Sequence, residues 1–181
     1  MSKSDTSVTS SQSYLDLWAT AKINDSWVAK AEMESTHNLR TGAGDTNTGN
    51  TSKVYVEGPL GNVKSKIGKF GALSKDGFII DREVSGAQIN FGKTVDTTIT
   101  VGRMNNLDRW GSTFSDKTFD YKAIEAKYKM DKNNTINIGY HNLKGAQFQS
   151  IFKNNDDSLG IIEAGIVSKL SADWKLDANY F

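Results

Sequence analysis

Residues 27–36 read WVAKAEMEST, and the alternation inside that stretch decides the fold class. Trp27, Ala29, Ala31 and Met33 share one parity, and Lys30, Glu32 and Glu34 share the other. Residues 124–130 repeat the pattern, with Ile124, Ala126, Tyr128 and Met130 opposed to Glu125, Lys127 and Lys129. A strand sends successive side chains to opposite faces, whereas a helix, with its period of ~3.6, mixes the two sets around its circumference. Both stretches therefore read as strands with one apolar and one charged face.

Working outward, the same period predicts about ten strands, near 14–22, 27–36, 53–59, 63–70, 86–92, 97–104, 119–130, 135–142, 159–170 and 174–181. The connections alternate in length. Short ones hold Asn24 to Ser26, Gly58 to Asn62, Lys93 to Asp96, Asp131 to Asn134 and Ser171 to Asp173, and long ones run near 37–52, 71–85, 105–118 and 143–158. Short turns at one end and long loops at the other are the habit of outer-membrane barrels. Trp27, Phe91, Tyr128 and Trp174 lie beside short turns on the apolar parity, and Tyr140 and Tyr180 share that parity at the opposite ends. Two aromatic belts bounding an apolar band are what bilayer interfaces select. Trp18 departs from this, sharing its parity with Asp16 and Lys22.

Composition agrees. Charged residues are 24% and hydrophobic residues 37% of the 181, mean hydropathy is −0.50, and no window approaches the ~20 apolar residues of a spanning helix. Barrel strands face lipid only at every second residue, so this average suits them. The net charge of +1 gives no reason to expect nucleic acid. Cysteine is absent, and the N-terminus, MSKSDTSVTSSQS, has no apolar signal segment. If the short turns are periplasmic, the first strand starts and the last strand ends on the extracellular side, whereas a whole barrel keeps its termini in the periplasm. The expectation is then that residues 14–181 are an internal part of a larger barrel, and residues 1–13 a polar leader or the remnant of an extracellular loop. Phe181 shares its parity with Asn179, Asp177 and Lys175, so it reads as an internal cut rather than as a terminal lipid-facing aromatic.

The stretches VYVEGPLGNVKSKIGKFG (54–71) and GFIIDREVSGAQINFGKTVDTTITVGR (77–103) resemble the porin part of the OmpM-like outer-membrane proteins of diderm Firmicutes, the S-layer homology domain porins. The segments LDLWATAKINDSWVAKAEME (15–34) and KLSADWKLDANYF (169–181) look like their strand–turn–strand units. The resemblance implies an antiparallel up-and-down transmembrane β-barrel of about sixteen strands, trimeric, in the bacterial outer membrane, passing small hydrophilic solutes and ions. The peptidoglycan-binding S-layer homology domain of that family has no counterpart in these residues. With one strand missing at the front, residues 71–85 become the third extracellular loop, which in many general porins folds into the lumen.

A porin selects by the charges lining its narrowest part. Lys30, Glu32, Glu34, Lys64, Lys66 and Arg103 are expected on the lumen-facing parity, and the inward loop would supply Asp76, Asp81, Arg82 and Glu83. The loop carboxylates are expected to face Lys64, Lys66 and Arg103 across the constriction. Taken singly, each is better read as an ordinary solvated charge on a polar face; lumen exposure of the set follows from parity. Other patterns are weak: residues 45–50 imitate a calcium loop poorly, since Val56 stands where the bidentate Glu belongs. With His37 and His141 the only histidines and no cysteine, neither a metal site nor a cofactor is expected, and no catalytic arrangement emerges. The rival readings are a non-porin outer-membrane barrel, adhesive or structural, and a soluble antiparallel barrel or sandwich acting as a binding protein. The soluble reading requires Ala29, Ala31, Ile89, Ile99, Val101, Ile136 and Ile138 to point into a core.

Overall fold

The computed structural model of the protein describes residues 12–38, 51–74, 80–105, 118–152, 156–171 and 174–180. They form ten strands: β1 (Gln12–Lys22), β2 (Val28–Asn38), β3 (Thr51–Leu60), β4 (Val63–Leu73), β5 (Asp81–Phe91), β6 (Val95–Asn105), β7 (Thr118–Lys129), β8 (Asn134–Lys144), β9 (Ser158–Lys169) and β10 (Lys175–Tyr180), with one short helix, α1 (Gln147–Phe152), between β8 and β9. Each strand pairs antiparallel with its sequence neighbours in the order β1 to β10. The protein is thus all-β, a single up-and-down sheet that is not closed, with β1 and β10 as its edges among the described residues.

Polar side chains bonded to backbone shape the short turns. Asn24 accepts hydrogen bonds from the backbone N–H groups of Ser26 and Trp27, and Asp131 accepts them from Asn133 and Asn134. Such local turns are the reason Asn and Asp are favoured there. β3 and β4 meet through the two residues Gly61 and Asn62, and Gly61 takes φ +62°, a conformation glycine adopts without strain. Pro59 lies in β3 beyond Glu57, the last residue of β3 paired with β2, so its missing N–H breaks no bond to that neighbour.

The register carries one parity across the whole sheet. Phe70 pairs with Val84, Val84 with Met104, Met104 with Phe119, and Tyr121 with Leu143. These side chains are buried and lie on the face we call inner. Gly68, Gly86 and Gly102 stand in register on the same face. A Cβ on Gly86 would come within 2.1 Å of the Val101 carbonyl oxygen, so the sheet is too tightly coiled there for a side chain.

At the long-loop end, the described parts of two connections close over the inner face. Ser74 N–H donates to the Ile80 carbonyl and Ile80 N–H to the Ser74 hydroxyl, and both residues are buried. Gly145 N–H donates to the Asp157 carbonyl, which turns α1 back so that Phe148 packs on Phe119 with ring centroids 5.5 Å apart. The result is one apolar cluster of Phe70, Ile80, Val84, Met104, Phe119, Tyr121, Leu143 and Phe148. It fills the inner face at the long-loop end only.

Two sequence expectations are corrected here. Residues 71–85 are not one loop, because β4 runs to Leu73 and β5 starts at Asp81. The Gly, Ser and Asp content of that segment suggested a loop, but ladder pairing of Gly71 with Glu83 and Leu73 with Asp81 extends the strands. The leader assigned to 1–13 overlaps β1, which already includes Gln12 and Ser13. Residues 1–11 and Phe181 lie outside the described residues.

Candidate functional site

The outer face is apolar through its middle. Val95, Ile99 and Val101 of β6, Ile124, Ala126 and Tyr128 of β7, Ile136, Ile138 and Tyr140 of β8, and Ile162, Ala164 and Ile166 of β9 share it by register. Large side chains stay uncovered there: Ile138 is 55% and Ile162 63% exposed. Ala29, Ala31, Ile89, Ile99, Val101, Ile136 and Ile138 all take this face, the opposite of what a soluble core requires. From Val95 to Val101 the band spans about 20 Å along the strand at ~3.3 Å per residue.

Above the band, at the long-loop end, the same face turns polar with Glu83, Ser85, Arg103, Asp120, Lys122 and Lys144. Below it, the aromatic residues near the short turns, Trp27, Phe91, Tyr128 and Trp174, follow the outer parity. Tyr140 and Tyr180 follow it too. Trp27 lies flat across Gly58, where a Cβ would sit 2.4 Å from its ring.

The inner face away from the apolar cluster is polar and charged. Lys30 pairs with Glu57 at 2.6 Å, Glu32 with Lys53, and Glu34 accepts a hydrogen bond from the Tyr14 hydroxyl at 2.9 Å. Lys53 also lies over the Trp18 ring, which explains that tryptophan's place on the polar parity. Lys64 and Lys66 line a trough of about 510 Å³ with Glu57, Gln88, Asn90 and Thr98. Next to it, a second trough of about 430 Å³ is lined by Lys66, Gln88, Glu125, Lys127, Asn137 and Glu163. Gln88 bonds Thr100, and Asn90 bonds Thr98, so the trough wall is held by side-chain amides and hydroxyls.

Lys30, Glu32, Glu34, Lys64 and Lys66 therefore take the expected face, but Arg103 does not. It pairs in register with Ser85 and Asp120 on the outer face, and its guanidinium donates to Asp120 at 3.0 Å. Counting by twos from Ile99 and Val101 gives the same result, so parity outweighs charge type. Arg103 belongs to the polar rim above the apolar band. Asp81 and Glu83 also take the outer face, and only Arg82 shares the inner one, beside Ala72. Lys64 pairs with Asn90 while Leu73 pairs with Asp81, so the lysine and the acidic pair sit at opposite ends of the same hairpin, about 30 Å apart. The expected facing of loop carboxylates and lysines is not formed by these residues. Asp76 and residues 45–50 lie outside the described residues.

The inner face also assembles a group that the sequence reading did not bring together. Glu125 and Glu163 flank Gly139 in register, and His141 pairs with Ala123 and Ile161 on the same face. One ligand atom from each of Glu125, His141 and Glu163 lies within 4.8 Å of the others. The β7–β8 register can be read from its short turn, so the approach of His141 to Glu125 was legible. The β8–β9 register crosses a long connection, and Glu163 could not be placed. No protein-family model matches this sequence, and neither does any curated protein.

Proposed function

We propose that this chain builds the wall of an outer-membrane β-barrel pore, passing small hydrophilic solutes and ions passively and without chemistry. The observation that carries the reading is the pairing of an uncovered apolar outer band with a polar, charged inner wall on the same strands. In water such a band is an aggregation hazard, whereas against lipid it is the required surface. Strands β1 to β9 have 10 to 12 residues, a length that suits a tilted crossing of the ~30 Å hydrocarbon core. The edges β1 and β10 must then pair with further strands, of this polypeptide or another copy, because open edges are not tolerated in hydrocarbon. A wall of about sixteen strands and a trimer remain part of this proposal, resting on the resemblance to OmpM-like porins.

Within the pore, Lys64, Lys66 and Lys127 face Glu57, Glu125 and Glu163 around the two troughs, so the lumen carries both signs and favours polar over apolar solutes. The test is conductance of the folded protein in a planar lipid bilayer. Large steady steps are expected.

A second reading, a non-porin barrel with an occluded lumen, is favoured by one observation: the packing of Phe148 and Ile80 into the apolar cluster at the long-loop end. Folded, inserted protein that gives no steps supports that reading over the pore.

A further inference from the structure

We propose that Glu125, His141 and Glu163 form a binding site for one divalent first-row cation, of the zinc, manganese or iron(II) type, on the inner wall. The argument is geometric and does not depend on the protein being a pore. His141 is fully buried, and its Nδ1 is 2.8 Å from the Tyr121 hydroxyl. With Nδ1 so engaged, Nε2 points at Glu163 Oε1, 3.3 Å away, and among the described residues it makes no hydrogen bond. A buried ring nitrogen left in this state is costly.

The separation suits a metal. Ligands about 2.0–2.1 Å from a tetrahedral ion lie about 3.3–3.4 Å from each other. Nε2 and Oε1 already stand at that spacing. Glu125 comes from the adjacent strand, and the 4.8 Å limit on the three ligand atoms leaves it one small side-chain movement from the same centre.

Three features look built for this arrangement. Gly139 separates the two glutamates across β8, and a Cβ there would stand 2.7 Å from both Cγ and Oε1 of Glu163. Any larger residue would push the carboxylate out of place. Tyr121 stacks near-parallel to the His141 ring, at 15°, and bonds its far nitrogen, the orienting partner that metal-bound histidines generally have. The apolar cluster roofs the group, while Glu125 and Glu163 line the open trough below, which gives an ion a way in. One imidazole with two carboxylates, and no thiolate, selects borderline first-row ions rather than soft ones.

The test is a cobalt(II) titration of the chelator-stripped, detergent-folded full chain, read by visible absorption and competed with zinc. A single saturating equivalent is expected, displaced by zinc, with affinity reduced at least about tenfold in Glu125→Gln and in Glu163→Gln. The native chain alone can overturn the proposal, by showing no saturable band. Equal binding by both variants would overturn it too, placing the cobalt elsewhere. Absence of binding would leave His141 and Glu163 as a proton-sharing pair.

Discussion

Replacing Ile138 with arginine separates a lipid-facing surface from a water-facing one. Ile138 is the fifth of eleven residues in β8, close to mid-height, and its side chain stands on the outer face, 55% exposed. Its register partners are Ala126 and Ala164, too small to shelter a new charge. An arginine facing hydrocarbon at mid-depth costs ~2–4 kcal/mol. On a water-exposed strand the same change stays within about 0.5 kcal/mol. Asn137, one residue earlier, is the internal control, because it lines the inner trough beside Glu125 and Glu163. Asn137→Arg places its charge in an aqueous space shared by Glu125, Glu163 and its register partner Lys127, where the two signs offset, and is expected to change stability by less than about 0.5 kcal/mol. Reversible guanidinium unfolding from phosphatidylcholine vesicles, followed by tryptophan fluorescence, measures both. The midpoint should fall for Ile138→Arg at unchanged slope, and should hold for Asn137→Arg. Equal midpoints, or a larger loss for Asn137→Arg, would refute the assignment of faces.

Neutralising Lys64 and Lys66 together with glutamine should shift the reversal potential of the reconstituted channel toward cations, while Arg103→Gln should leave it unchanged because Arg103 stands on the outer rim. Gly58→Ala should lift Trp27 off β3, shifting its fluorescence and destabilising the protein by about 1–3 kcal/mol, the usual cost of overpacking. Asp131 is held below its ordinary value of 3.8 by hydrogen bonds from the Asn134 side chain and the Asn133 and Asn134 backbone. A lowered carboxyl pKa stabilises the fold above the unfolded value, and the gain is lost as pH falls through the folded one. The unfolding midpoint of Asp131→Asn should therefore lie below the native one at neutral pH and converge with it in strong acid.

Much of this fold was legible because period-two alternation and short turns are local signals. The turns at Asn24 and Asp131 announce themselves by residue type, and β7 and β8 follow from the second of them. The ends of β4 and β5 were not legible, since Gly71, Ser74 and Asp81 favour loops and only the pairing of the two strands overrides that preference. Helix α1, six residues long, is too short to show a helical period. The apolar cluster was hidden for a similar reason: Phe70, Phe119 and Phe148 come from separate segments and are brought together by strand register and by the turn that carries α1 back over the sheet. Arg103 was readable from the count along β6, and charge type misled. Of the charged inner wall, the side chains on β2 and β4 could be read from parity. The meeting of Glu163 with His141 depends on long-range register, which no local pattern encodes.

The most direct test of the central claim is a spin-label scan of four consecutive residues of β6, Asp96, Thr97, Thr98 and Ile99, in the membrane-reconstituted protein; Asp96 and Thr98 line the inner trough, and Thr97 and Ile99 share the outer face. Labels at 97 and 99 should be accessible to oxygen and shielded from a water-soluble nickel complex, and labels at 96 and 98 should show the reverse. Uniform accessibility along the four positions, or alternation of the opposite sign, would contradict a lipid-facing outer band and an aqueous inner wall.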